Sequence, residues 1–213
     1  MAAREYGQYC GITRALELVG ERWALLIVRD LLVGPRRYGE LAAGLPRIPS
    51  NILAARLKEL QEAGIIHRVP RSRIIIYELT PYGRELEPVV LALGTWGFKA
   101  MGDPRDGQVI TPDSMTMALR TAFQPLVAAT LPATAYAAHL GPAELLIQVD
   151  GRSLDVTRGP GTADLTFAAG PDIRRLISGE LAPEHAITTG VVEVLRGNGE
   201  LLDRFASTFH LAA

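Results

Sequence analysis

The sequence predicts an α+β protein in two parts, an N-terminal winged helix-turn-helix followed by a small α+β domain with an antiparallel-rich sheet covered by helices. Three observations predict it. Between Leu25 and Thr80 the order is a helix, a Gly-Pro-Arg-Arg-Tyr break, two helices joined by a short turn, and two short strands around a basic turn. After a cluster of Gly, Pro and Asp at Met101 to Asp113, the pattern changes to strand-like runs framed by helices. Charge divides in the same place: residues 1–101 carry 14 Lys+Arg against 10 Asp+Glu, and residues 102–213 carry 8 against 13. Only the first part is basic. The expected domains are therefore 1–102 and 114–213, with a linker at 103–113.

Composition narrows the class. A chain of 213 residues with nearly half apolar side chains has ample material for two buried cores. The charged N-terminus MAAREYGQYC lacks the apolar run of a signal peptide, and no stretch approaches the roughly 18 uncharged apolar residues of a membrane span. A soluble cytoplasmic protein without membrane contact is expected. One cysteine excludes an intramolecular disulfide, and four scattered histidines offer no zinc spacing. Neither metal nor cofactor is expected.

Taken in order, TRALELVG sets Ala15, Leu16 and Val19 on one helical face, and ERWALLIVRDLLVG adds Trp23, Leu26, Ile27 and Leu31 at spacings of three and four. Both read as core helices. Gly34-Pro35 ends the second, and a third opens at Arg36-Arg37-Tyr38 and stops at Pro46. The helix NILAARLKELQEAG turns Leu53, Leu57 and Leu60 inward and leaves Asn51, Ala54, Ala55 and Lys58 elsewhere, with Ser50 or Asn51 as N-cap. Ile65-Ile66 and Ile74 to Ile76 then flank Val69-Pro70-Arg71-Ser72-Arg73 as a hairpin with a basic tip. Thr80-Pro81 caps and starts a helix that runs on through PYGRELEPVVLALGTWGFKAM with Pro88 as an internal kink. Its Val89, Val90, Leu93, Trp96 and Phe98 are too apolar for a solvated face, so this helix, with the first, is expected to form a homodimer seam.

In the second part, TMALRTAFQPLVAATL, PDIRRLISG and ELLDRFASTFHL read as helices. TAYAAHL, AELLIQVDGRSLDVTRG, TADLTFAAG and GVVEVLRG read as strands.

The layout of the first part makes duplex DNA the expected partner. Arg36 and Arg37 are candidate phosphate contacts, the plain alternative being a solvated basic pair. Ser50, Asn51, Ala54, Ala55 and Lys58 are major-groove candidates, with Asn able to pair an adenine edge. Arg56 lies between faces, as a phosphate contact or an internal salt-bridge partner. Arg71 and Arg73 at the hairpin tip would reach a phosphate or the minor groove, unless they form an ordinary solvated turn. Cys10 precedes the first helix with Arg14 one turn on, a setting that favours thiolate; burial as a small hydrophobe is the alternative. No enzyme is expected, because His139, His185 and His210 stand with Ser153, Ser178 and Ser207 in no nucleophile elbow or paired spacing.

The stretches YCGITRALELVGERWALLIVRDLLVGPRRYGEL, LPRIPSNILAARLKELQEAGIIHR and TPYGREL, from Cys10 to about Met101, resemble the HxlR-type winged helix-turn-helix transcriptional regulators. The resemblance implies a homodimer on a near-palindromic operator, and a sensor cysteine at the position of Cys10 that forms an intersubunit disulfide or an adduct. The chain departs from the family at Gly11, where Pro is frequent, and in its second hundred residues. VDGRSLDVTRG, AAGPDIRRLISG and AITTGVVEVLRGNGELLDRF resemble the sterol-carrier-protein-type lipid-binding fold, which implies an apolar ligand between sheet and helices. Leu119, Phe123, Leu176, Ile177, Phe205 and Phe209 are the pocket candidates, with plain core as the alternative. The resulting expectation is a DNA-binding regulator controlled by that ligand or by Cys10 oxidation. The alternative is a lipid or acyl-ligand binding protein whose winged helix mediates protein contacts.

Overall fold

In a computed structural model that describes residues 5–212, the chain separates into two units, Met1–Val90 and Leu91–Ala213. The first runs α1 (Gly11–Val19), α2 (Ala24–Val33), β1 (Arg36–Arg37), α3 (Tyr38–Gly44), α4 (Ser50–Glu62), β2 (Ile66–Arg71), β3 (Ile74–Leu79) and α5 (Pro81–Arg84). Ile27, Val28 and Leu31 of α2, Leu41 of α3 and Leu53, Leu57 and Leu60 of α4 are all buried. The helical spacing of those leucines thus turns one face of α4 inward and frees the other. The three-stranded sheet has the order β1-β3-β2. Strands β2 and β3 pair from Ile66↔Leu79 to Arg71↔Ile74, so Ser72 and Arg73 alone make the turn. Pro70 is tolerated because β2 is an edge strand.

Several local expectations are corrected. Arg36 and Arg37 do not open a helix: they form β1, opposite Tyr77 and Ile76, because Pro35 sends the chain out extended beside the open edge of β3. The N-cap of α4 is Pro49, at φ −64° and ψ 141°, with no side-chain cap bond; Ser50 is already helical. The long helix after Thr80 is two helices, α5 and α6 (Glu87–Phe98). Pro88 therefore sits in a first turn, where its missing N–H costs nothing, and kinks no helix. Thr80 caps α5 as expected, accepting from the Gly83 N–H at 3.0 Å. A Cβ on Gly83 would lie 2.1 Å from the Ile65 carbonyl oxygen, so only glycine lets α5 approach this closely.

The first helix is less buried than its periodicity predicts. Val19 is buried, whereas Ala15 and Leu16 are exposed, as is Leu26 of α2. Helix α6 buries no residue at all: Val89, Leu93 and Trp96 are 48%, 45% and 75% exposed. The division between the units falls inside α6.

The second unit continues with α7 (Pro112–Ala122), α8 (Pro125–Ala128), β4 (Thr134–Leu140), β5 (Ala143–Asp150), β6 (Ser153–Arg158), β7 (Leu165–Ala169), α9 (Ile173–Ile177), α10 (Pro183–Thr188), β8 (Val192–Gly197) and α11 (Leu201–Thr208). Its five-stranded sheet has the order β6-β5-β4-β7-β8; β4 and β7 are parallel and the other pairs antiparallel. Along β5 the residues Ala143, Leu145, Ile147 and Val149 alternate inward. Helix α7 starts inside the expected linker, because Thr111 accepts from the Ser114 N–H at 3.2 Å and Pro112 suits a first helical position. The short helix α10 is too brief to carry a periodic signal of its own, and the sequence does not predict it.

The expected ligand residues are corrected too. Leu119, Leu176, Phe205 and Phe209 are fully buried, Ile177 is nearly so and Phe123 is half-buried. Phe205 meets Tyr136 and Phe167 edge-on, with centroids 5.3 and 5.2 Å apart, and Phe209 at 4.8 Å. The space between sheet and helices is filled by these rings, so Leu119, Phe123, Leu176, Phe205 and Phe209 are core rather than pocket, whereas Ile177, though buried, also lines a cleft of the second unit. Among the described residues no helix is long and apolar enough to cross a membrane, and no cluster of His, Cys, Asp and Glu is arranged to hold a metal ion.

Candidate nucleic-acid interface

The free side of α4 is the centre of the site. Ser50, Asn51, Ala54 and Lys58 are exposed and Ala55 is half-buried. Residues 51, 54, 55 and 58 share one face at helical spacing, directly opposite the buried leucines. This face is small and polar at its N-terminal end, where the Pro49 carbonyl takes the Ile52 and Leu53 N–H groups at 3.0 and 2.9 Å. Lys58 Nζ stands 3.7 Å from Glu62 Oε1 on the surface.

Arg56 does not belong to that face. Its side chain is 8% exposed and pairs with Glu59 of its own helix, and its Nη1 lies 3.7 Å from Oε2 of Glu21 in the turn before α2. Its Nε is buried without a hydrogen-bond partner among the described residues. The internal ion pair is the alternative the structure contains, and it withdraws Arg56 from contact with a nucleic acid.

Arg71 and Arg73 are exposed at and beside the tip of the β2–β3 hairpin. The register brings His67 beside Glu78, with Nε2 and Oε1 2.8 Å apart. At the other edge of the sheet, Arg36 is half-buried and donates from Nη1 to the Pro35 carbonyl at 2.9 Å. The exposed Arg37 gives its backbone N–H to the Glu40 carboxylate at 2.6 Å, which ties the strand to the first turn of α3.

One positioning residue escapes sequence reasoning. The Tyr38 hydroxyl donates to the Ser50 carbonyl at 2.8 Å, linking the start of α3 to the start of α4. Its signal is the aromatic residue in the Gly-Pro-Arg-Arg-Tyr break, an amphipathic ring in a place otherwise given to turn residues.

Cys10 is exposed and occupies the N-cap of α1 in extended conformation. The amide groups of Thr13 and then Ile12 hold its thiol below the ordinary range, as expected at a helix N-terminus. The anticipated help from Arg14 is absent: its Nη1 is 3.1 Å from Glu17 Oε2.

Comparison with known proteins agrees with this geometry. The model of the HxlR-like helix-turn-helix family matches residues 18–104. An uncharacterized HTH-type transcriptional regulator of Mycobacterium tuberculosis, Rv3095, is 45% identical over 96 residues, which are 44% of this chain and 60% of that protein. The matched region therefore spans less than two thirds of that relative. The HTH-type regulator YdeP of Bacillus subtilis is 33% identical over 93 residues, 42% of this chain and 73% of its own length. Among solved structures, the reduced form of the transcriptional regulator YodB from B. subtilis is 34% identical, with 45% of this chain and 100% of that chain covered at a TM-score of 0.39. With a relative a third identical matched over nearly three quarters of its length, and a helix-turn-helix whose outer face is free, the chain belongs to the HxlR family of helix-turn-helix regulators.

Proposed function

We propose that this protein is a homodimeric transcriptional regulator that binds a near-palindromic operator in duplex DNA. The observation that carries the reading is the free face of α4, Ser50, Asn51, Ala54, Ala55 and Lys58, presented beside a hairpin tipped by Arg71 and Arg73. Each α4 enters the major groove of one half-site, where Asn51 pairs an adenine edge and Ser50 adapts to either base. Arg71 and Arg73 neutralise phosphates or enter the flanking minor groove, and Arg36 and Arg37 contact the backbone without reading sequence.

The apolar faces of α6 and α1 form the dimer seam. Ile12 and Leu16 of α1 and Leu93 and Trp96 of α6 are exposed in the single chain, and patches of that kind are usually covered. The domain beyond α6 is a sterol-carrier-like module that holds an apolar small molecule. That ligand, or oxidation of Cys10, changes half-site spacing and hence affinity. The reading involves no catalytic role.

Footprinting of the purified protein on the DNA upstream of its own gene, with affinity measured against salt, tests the proposal. A protected two-fold site is expected, with log affinity falling by roughly 0.9 per log salt for each phosphate neutralised. A flat salt response with no footprint would favour a ligand-binding protein whose winged helix docks another protein.

A further inference from the structure

Among its described residues the second unit forms a cavity large enough for a small molecule, at the margin of the filled interior, whose Met115, Ile173 and Ile177 it shares. The cleft measures about 570 Å³, within the roughly 300–1,000 Å³ of typical ligand sites. Phe98 from the last turn of α6, Met101 and Val109 from the loop beyond it, Met115 from α7, and Ile173 and Ile177 from α9 form its walls. Met101 and Val109 are 55% and 60% exposed, so the loop lays apolar side chains along the cleft without burying them. Two methionines make the wall adaptable in shape.

The charges at the mouth select the ligand. Arg174 is already neutralised, with its guanidinium 2.6 and 3.2 Å from the two Glu180 carboxylate oxygens and 3.6 Å from Asp103. Arg105 makes no ion pair among the described residues. Its backbone N–H is held by Gln108 Oε1 at 2.8 Å, which closes the loop around it. An apolar cleft therefore carries at its rim a guanidinium with no ion pair of its own among the described residues, while the Asp103 carboxylate beside it is turned to Arg174.

We propose that this cleft is an effector site for an amphiphilic organic carboxylate, with its apolar body against Phe98, Met115 and Ile177 and its head group on Arg105. The inference rests on reading the second domain as a ligand-binding module, and it moves the site from the sheet–helix interior to the loop that follows α6. The placement has a consequence for control. The wall residue Phe98 belongs to α6, and a Cβ on Gly94 of that helix would lie 3.0 Å from Thr121 Oγ1 of α7, so α6 is seated closely on the domain that forms the cleft. The ligand thus clamps the end of the same helix that exposes Leu93 and Trp96. Occupancy and dimer geometry are coupled through α6.

Calorimetric titration of the full chain with dodecanoate and with dodecanol tests the site, alongside operator affinity on the same preparations. Wild-type protein binds dodecanoate saturably. Dodecanol binds about tenfold more weakly, and Arg105→Ala weakens dodecanoate by about the same factor, as expected when one charge-assisted hydrogen bond is removed. Ala118→Trp, at an exposed position lining the cleft, fills it and abolishes binding. Val109→Glu on the exposed loop does the same by repelling the head group, and it serves if the first variant misfolds. Absence of saturable binding, binding that survives in a folded cleft variant, or equal affinity for acid and alcohol overturns the proposal. Protein that holds its operator but takes no dodecanoate refutes the cleft alone, whereas protein that takes dodecanoate but no DNA refutes the regulator alone.

Discussion

Arg56 Nη1 on the buried side of α4 lies 3.7 Å from Glu21 Oε2 in the turn between the first two helices. The arginine thereby braces the helix from behind, while Glu59 shares its charge within the helix. Both carboxylates are more than a third exposed, so solvent screens the attraction and the buried guanidinium carries most of the desolvation cost. Arg56→Ala is expected to lower unfolding free energy by about 2 kcal/mol through poorer packing and a broken ion pair, whereas Arg56→Met stays within about 1 kcal/mol of wild type. Urea unfolding curves decide it, and equal losses in both variants would contradict the bracing role.

The hairpin tip makes a prediction about salt rather than sequence. Arg71→Ala with Arg73→Ala should weaken binding to operator and random duplex alike and flatten the log-log salt slope by roughly 2, about one for each phosphate that is no longer neutralised. Titrations at several salt concentrations measure the slope; an unchanged slope removes the pair from the interface.

Helix α6 should hold two chains together. Trp96→Glu and Leu93→Glu place a charge on two exposed apolar positions of that helix without touching the core. Sedimentation velocity should show a shift from dimer to monomer, with operator binding falling in parallel, because each half-site then binds alone. A dimer unaffected by both changes would place the seam elsewhere.

Cys10 provides a pH test. The backbone amides of Thr13 and Ile12 at the start of α1 favour the thiolate and lower the thiol pKa in the folded chain. Since thiolate is the reactive form, alkylation by iodoacetamide should rise with pH and level off at lower pH in native protein than in the same protein unfolded by urea. Coincident profiles would show no activation. In the sensing role, diamide should weaken operator binding of wild type and leave Cys10→Ser unchanged.

Local rules and tertiary packing contributed differently. The leucine spacing of α4, the isoleucine-rich hairpin strands and the Thr80-Pro81 cap were legible because they depend on periods of 3.6 and 2 and on one local hydrogen bond. The same rules misplaced Arg36 and Arg37, which follow a helix stop and look helical, since strand β1 exists only through pairing with β3 some forty residues later in the chain. They also left Arg56 undecided, because its inward fate depends on Glu21, which is remote in sequence. The phenylalanines of the second domain were apolar enough to be either pocket or core. Only their mutual packing, with centroids about 5 Å apart, made them core and left the cavity to the loop beyond Phe98. Spacing along single segments was enough for most helices and strands and for the free face of α4, but not for β1, for α10 or for the break between α5 and α6. Tertiary structure decided which cations face outward and where empty space remains, because charge pairing and packing are settled between segments.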